Sequence, residues 1–171
     1  RTLAEIAQAL GRDPWDVFFD LLKTGAFAMP QSMSEANKIE AMREPFVTFC
    51  TDVGPGGASH PRGHGSMPRV LGHYVRRLNA LSREQAVAQM SNAALQELFA
   101  SDRGRIAAGL AADLVVFDPQ RVEDKATFAQ PRAASVGIQY VLVNGQMVFE
   151  SGAYTGVRPG KVLRGPGYRA R

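Results

Sequence analysis

The sequence predicts an α/β fold, the closing elements of a βα barrel or of another α/β sheet, followed by a small β-rich unit. Residues Pro45–Arg76 read as a strand, a polar glycine-rich loop and a helix, the order in which α/β proteins place their chemistry at the carboxyl end of a strand. Near Ser101 the predicted helices give way to short strands with tight turns. We therefore expect two parts, residues 1–100 with the site-bearing loop and residues 101–171 with the β-rich segment and the tail.

Two helices are predicted at the start of the chain. Thr2 and Glu5 form a capping box in front of the first helix, and Gly11 ends it. Asp13-Pro14 begins the second helix, with proline at the first helical position. The apolar side chains expected to form the buried stripe of this second helix are Trp15, Phe18, Phe19 and Leu22.

A short strand over Ala26–Met29 and a third helix are expected next. Ser32 and Glu35 have the spacing of a capping box for that helix. It is predicted to end near Arg43. Glu44 precedes Pro45, and a proline disfavours helical backbone angles in the residue before it.

The central strand is predicted over Phe46–Thr51, a run of apolar and β-branched residues typical of a strand covered on both faces. Alternation places Thr48, Cys50 and Asp52 on one side, and Val47, Phe49 and Thr51 on the other. The second set is bulkier and more apolar, so we expect it to pack against helices while Asp52 faces the site. Cys50 is expected to be a buried small apolar residue.

Helices and then strands are predicted after the loop. A helix that begins at Ser66-Met67-Pro68 carries an apolar stripe, a second is capped by Ser82 and Gln85, and a third covers Asn92–Ala100. The predicted strands are Asp113–Asp118, Ile138–Val143 and Met147–Glu150, the last two flanking the hairpin signal Asn144-Gly145-Gln146.

Composition restricts the class of protein. The net charge of +4 comes mostly from arginine, and the basic residues of the tail are expected to be solvated, so no nucleic-acid partner is predicted. No apolar run approaches membrane-spanning length. A single cysteine suits a reducing compartment, which predicts a cytoplasmic protein. Because the chain begins at Arg1, directly at a helix start, we read it as the C-terminal part of a longer protein.

Asp52, at the end of the predicted strand, is the candidate catalytic residue. A carboxylate there can act as general base for a metal-bound water and then as acid toward a leaving amine. Alternatively, it caps the following turn through its own backbone. Arg62 in the loop can hold a substrate carboxylate with its guanidinium fork, or it can be a solvent-exposed arginine.

Three histidines, His60, His64 and His73, fall close together in the sequence. Such density can provide zinc ligands, with Asp52 as a further one. Two of them lie in a glycine-rich loop and the third on a helix, without the spacing of a known zinc motif. We therefore expect loop or supporting roles for them, and no self-contained metal site in this chain.

The run HPRGHGSMPRVLGHYVR, with Asp52 ten positions before Arg62, resembles the C-terminal half of the N-acyl-D-amino-acid deacylases (D-aminoacylases) of the amidohydrolase superfamily. LSREQAVAQMSNAALQELF and DRGRIAAGLAADLVVFDP are similar to the last helices of that family and its return into the β domain. IQYVLVNGQMVFESGAYTGVRPGKVLR is similar to its final hairpin and tail.

The resemblance implies the C-terminal portion of a metal-dependent TIM barrel together with part of its small β-sandwich. Asp52 falls at the family's catalytic aspartate after the eighth barrel strand. His60 and Arg62 fall on its HPR motif, which implies substrate binding. The metal ligands, for zinc as the family implies, would lie upstream of Arg1, so this chain alone is expected to bind no catalytic metal and to be inactive.

The implied reaction is hydrolysis of the amide bond of a small N-acyl-D-amino acid or a related amide. A cyclic-amide hydrolase of the dihydroorotase or hydantoinase kind remains an alternative, as does a non-catalytic binding or assembly domain that retains the scaffold. A half barrel exposes a sheet edge and an apolar face, so the chain without its N-terminal part is expected to self-associate.

Overall fold

A computed structural model describes residues 1–26, 32–54, 60–98 and 101–169 of the chain. The chain divides into two compact units, Arg1–Ser34 and Glu35–Arg171. In the part of the chain described, no helix has both the length and the apolar character needed to cross a membrane.

The described residues of the first unit form two helices, α1 (Leu3–Leu10) and α2 (Pro14–Lys23). The predicted capping box is confirmed, because Thr2 Oγ1 accepts a hydrogen bond from the Glu5 N–H while the Glu5 carboxylate accepts one from the Thr2 N–H. Gly11 ends α1 in the left-handed region, at φ 62°, where a side chain would be strained.

The predicted buried stripe of α2 is wrong in this chain. Trp15 is 68% exposed, Phe19 and Leu22 are also exposed, and Val17 is the buried residue of the helix. The aromatic rings contact one another edge to face, with 5.5 Å between the centroids of Phe18 and Phe19. Two short helices offer too little surface to cover such large side chains. Most of the predicted strand Ala26–Met29 lies outside the described residues.

Five helical segments are described in the first part of the second unit. They are α3 (Glu35–Arg43), α4 (Arg62–Arg69), the π-helix (Val70–Arg77), α5 (Arg83–Met90) and α6 (Asn92–Glu97). The end of α3 at Arg43 is confirmed, although the helix begins later than the predicted cap at Ser32. The Ser82 cap of α5 is also confirmed, since Ser82 Oγ accepts from the Gln85 N–H at 3.0 Å. The helix predicted to reach Ala100 ends at Glu97, and residues 99–100 lie outside the described chain.

The helix after the central loop begins at Arg62, four residues before the predicted start at Ser66. Pro68 therefore lies inside a helix and not at its beginning. A proline has no N–H, so the carbonyl of His64, four residues earlier, lacks its α-helical donor. Beyond Pro68 the backbone continues as the π-helix Val70–Arg77, a change of register that the 3.6-residue apolar pattern does not predict.

The β-rich part forms one antiparallel sheet in the order β1-β2-β3-β4. Its strands are β1 (Leu114–Phe117), β2 (Ile138–Val143), β3 (Gln146–Glu150) and β4 (Ala153–Tyr154). The predicted hairpin is confirmed: Asn144 and Gly145 have φ of 47° and 77°, as a two-residue turn with two left-handed positions requires. The barrel, the sandwich and the boundary near residue 101 stay predictions.

The predicted strand Phe46–Thr51 is not formed. No described segment pairs with it, and Phe46 is 77% exposed. A parallel strand needs a neighbour for its hydrogen bonds, and the described residues supply none. Phe49 packs against the core, whereas Asp52 is exposed, so the predicted alternation and the predicted direction of Asp52 toward the site stay predictions. Cys50 is exposed as well, so its predicted burial is wrong.

One apolar core joins helices and sheet within the second unit. Its buried residues are Val70, Leu71, Tyr74, Ala80, Leu81, Ala86 and Val122. A polar contact fixes α3 against the π-helix beside this core: the hydrogen bonds of Glu35 with Lys38 and Tyr74 hold the pKa of that carboxyl below its usual value. Burial, together with the Glu35 contact, raises the pKa of the Tyr74 hydroxyl.

Gly72 packs against the backbone of the segment that follows β1, so Gly72→Ala is expected to destabilise the protein by about 2 kcal/mol. A Cβ at this position would lie 2.6 Å from the Val122 carbonyl oxygen, and neither backbone can move without disturbing the core. Urea unfolding measures the loss. Gly160→Ala is the control, because a Cβ there meets nothing within 4 Å. Equal stability of the two variants would contradict the packing described here.

Candidate functional site

Asp52 and Arg62, the two principal candidates from the sequence, form an ion pair. Arg62 Nη2 donates to Asp52 Oδ2 at 2.8 Å and to the Asp52 backbone carbonyl at 2.7 Å. Asp52 has a left-handed backbone, with φ 47°, a conformation uncommon for a residue with a side chain and tolerated best by Asn and Asp. The backbone hydrogen bond from Arg62 holds the chain in this turn.

Both side chains remain accessible. The Asp52 side chain is 79% exposed and that of Arg62 is 44% exposed. Among the described residues, the hydrogen bonds of the Arg62 side chain use Nη2, which leaves Nη1 and Nε of the fork for another carboxylate. The pair therefore offers a proton acceptor and a carboxylate-binding group at one place.

His60 caps the helix that carries Arg62. Its Nδ1 accepts a hydrogen bond from the Arg62 backbone N–H at 3.1 Å, one of the N–H groups that a helix start leaves without an internal partner. Because Nδ1 accepts, the proton of the neutral ring is on Nε2. His60, predicted to bind substrate, thus also fixes the first residue of α4.

The other two histidines have different contacts. His64 contributes its backbone carbonyl, which accepts from Ser135 Oγ at 3.2 Å, and His73 Nε2 lies 3.8 Å from Glu35 Oε1. Among the described residues, no group of three or more His, Cys, Asp or Glu side chains is placed to hold a metal ion. The residues present therefore do not fit a metal centre by themselves.

Two residues near the site were not predicted, Phe128 and Ser135. The Phe128 ring lies edge-on to His60, with 5.0 Å between the ring centroids. Ser135 Oγ donates to the His64 carbonyl, the group that Pro68 leaves without a donor. The only signal for Phe128 in the sequence is an aromatic residue in the polar run Asp124–Arg132, and its partner lies more than sixty positions away.

The amidohydrolase family model matches residues 1–149. The chain is 41% identical to N-acyl-D-glutamate deacylase of Alcaligenes xylosoxydans xylosoxydans over 169 residues, which is 96% of the chain and 33% of that protein. It is 38% identical to D-aminoacylase of the same organism over 163 residues, 95% of the chain and 34% of the relative. The chain thus spans about a third of the length of these relatives.

Two solved structures agree with these sequence matches. One is N-acyl-D-glutamate deacylase from Bordetella bronchiseptica, complexed with zinc and a phosphonate inhibitor that mimics the tetrahedral intermediate. It aligns with a TM-score of 0.78 and 39% identity, over 96% of this chain and 34% of that one. The other is D-aminoacylase, in a study of its binuclear metal centre, with a TM-score of 0.74 and 35% identity over 92% of this chain and 33% of that one. The chain belongs to the amidohydrolase family.

Proposed function

We propose that the intact protein of which this chain is a part hydrolyses the amide bond of N-acyl-D-amino acids. The observation that carries the proposal is the hydrogen-bonded pair of Asp52 and Arg62, with Asp52 Oδ2 at 2.8 Å from Arg62 Nη2. A proton-transferring carboxylate beside a partly open guanidinium fork suits a substrate with a scissile amide close to a free carboxylate. The relatives named above, D-aminoacylase and N-acyl-D-glutamate deacylase, support this substrate class.

In this proposal each residue has a distinct role. Asp52 takes the proton of the attacking water and returns it to the leaving amine nitrogen. Arg62 binds the substrate carboxylate with the nitrogens that Asp52 does not use, and His60 contacts the substrate from its position two residues before the start of α4. Loss of the free carboxylate would thus weaken binding more than turnover.

Metal dependence belongs to the intact enzyme. The described residues of this chain do not assemble a metal site, so the ligands would come from the portion that the chain does not span. Zinc is the metal we propose, supported by the zinc complex of the Bordetella bronchiseptica relative. A cytoplasmic location completes the proposal and is supported by the single cysteine.

A substrate panel tests the proposed function. The purified intact protein is assayed for amine release from N-acetyl-D-glutamate, N-acetyl-D-leucine and their L enantiomers, and for ring opening of dihydroorotate and hydantoin. We expect hydrolysis of at least one D substrate and little of its L enantiomer. Ring opening with no deacylation would favour the cyclic-amide alternative, and no hydrolysis of any compound by the metal-loaded protein would favour a non-catalytic scaffold.

A further inference from the structure

The segment between β1 and β2 runs along the helix that carries the site. This part of the connection is Val122–Ser135. It contacts α4 and the π-helix at several places, among them Val122 with Gly72, Glu123 with Arg77, Asp124 with Arg69, and Ser135 with His64. The Asp124 pair measures 3.3 Å between Oδ2 and Arg69 Nη1. The β-rich part of the chain thus holds the site-bearing helix along most of its length.

Phe128 lies between these anchor points and contacts the site itself. Its ring meets the His60 ring at an interplanar angle of 77°, an edge-to-face arrangement that aromatic rings favour. Phe128 remains 63% exposed, so little of its surface serves the apolar core. Its principal aromatic contact in the described chain is His60.

His60 is consequently held from two directions. Its Nδ1 accepts from the Arg62 N–H at 3.1 Å. The edge-to-face contact with the Phe128 ring restricts rotation of the imidazole. Since Arg62 is the first residue of α4, a rotation of the His60 ring would release the helix start. The guanidinium would then leave the position in which it reaches Asp52.

We propose that Phe128 is a positioning residue for substrate-carboxylate recognition, acting through His60 on Arg62. This inference rests on the proposed function, and it assigns to the β-rich part of the chain a share in building the site. Removing the ring should loosen Arg62 without removing any group that touches substrate. The loss should therefore fall on KM for substrates with a free carboxylate, and little on kcat.

The test compares three substitutions of Phe128 in the intact protein. Phe128→Ala is expected to raise KM for an N-acyl-D-amino acid by about three- to tenfold, which corresponds to the free energy of one aromatic pair. The value of kcat should stay within about twofold of wild type. Phe128→Tyr keeps the ring edge and should retain the normal KM. Phe128→Leu keeps the apolar bulk without the ring edge, so it should behave as Phe128→Ala and serves in its place if the alanine variant does not fold.

Tyr154→Ala is the matched control. Tyr154 is also an exposed aromatic residue in an edge-to-face pair, with Phe149 at 5.4 Å, but it lies on β4, and its removal should leave KM unchanged. Each enzyme is also assayed on the carboxamide of the same substrate, for which the Phe128 variants should show no change. An unchanged KM in a folded Phe128→Ala or Phe128→Leu variant would overturn the proposal, as would equal effects on acid and carboxamide.

A readout without turnover separates this inference from the proposed function. The protein is labelled with 13C-histidine, and the His60 resonances are assigned by comparison with His60→Gln. These resonances should shift in Phe128→Leu. They should stay close to their wild-type positions in Phe128→Tyr and Tyr154→Ala. Failure of the wild-type protein to hydrolyse any N-acyl-D-amino acid would refute the proposed function, and with it the carboxylate role of Phe128. Normal wild-type hydrolysis with unshifted His60 resonances in Phe128→Leu would refute the positioning role alone.

Discussion

Asp52→Asn in the intact enzyme is expected to lower kcat by about a hundredfold or more, the usual contribution of a general base. The asparagine keeps the shape of the side chain but cannot take the proton of the attacking water. In the unmodified chain Arg62 Nη2 also donates to the backbone carbonyl of residue 52, at 2.7 Å. This hydrogen bond does not need the carboxylate, so the turn should remain in place. Steady-state kinetics together with elemental analysis measure the effect, and the metal content should not change.

The control for this variant is Asp102→Asn. Asp102 is likewise an exposed carboxylate paired with an arginine, at 3.1 Å from Asp102 Oδ1 to Arg103 Nε, but it lies outside the candidate site. Its substitution should leave kcat within about twofold of wild type. If Asp52→Asn also keeps near-normal turnover, Asp52 is only a turn residue and the proposed mechanism fails.

Arg62→Ala is expected to raise KM for substrates with a free carboxylate by about ten- to a hundredfold. This factor corresponds to the free energy of a hydrogen bond to a charged group. The corresponding carboxamides should show little change in KM. The structure adds a second effect, because Asp52 loses its arginine partner. Since this pair is exposed, kcat should fall by no more than about fivefold.

Arg62→Lys separates charge from geometry. Lysine keeps the positive charge, but a single ammonium cannot contact Asp52 and a substrate carboxylate with separate nitrogens. We expect a KM between those of wild type and Arg62→Ala. Equal losses on acid and carboxamide substrates in Arg62→Ala would show that Arg62 supports the loop and does not recognise the carboxylate.

The features predicted correctly from the sequence are local. The capping box of Thr2 and Glu5, the Ser82 cap and the hairpin at Asn144-Gly145 depend on residues within a few positions of one another. Backbone geometry alone determines such contacts. Asp52 and Arg62 are also only ten positions apart, but the sequence did not predict that they form an ion pair.

The predictions that failed needed partners from elsewhere. The run Phe46–Thr51 has the residue types of a buried strand but finds no strand to pair with in the described chain. Trp15 and Phe19 have helical spacing but remain exposed. Apolar periodicity shows which face of an element tends to be covered, and it does not show whether the covering surface belongs to the same chain.

The sequence predicts only part of the candidate site, for a related reason. Phe128 and Ser135 reach His60 and His64 across 68 and 71 positions, and no sequence motif links them. The π-helix after Pro68 was also missed, because its apolar residues fit an α-helical pattern equally well. Long-range packing, not local preference, brings Phe128 and Ser135 to the site.

The central claim, that Asp52 and Arg62 act as one hydrogen-bonded site, is tested most directly by a double-mutant cycle on kcat/KM. Residues in contact that serve the same substrate should not be independent. We therefore predict that Asp52→Asn combined with Arg62→Ala loses less than the product of the single losses, by about three- to fivefold. Asp102→Asn combined with Arg62→Ala should show no such coupling. Losses that multiply within about twofold for the Asp52 and Arg62 pair would contradict the account.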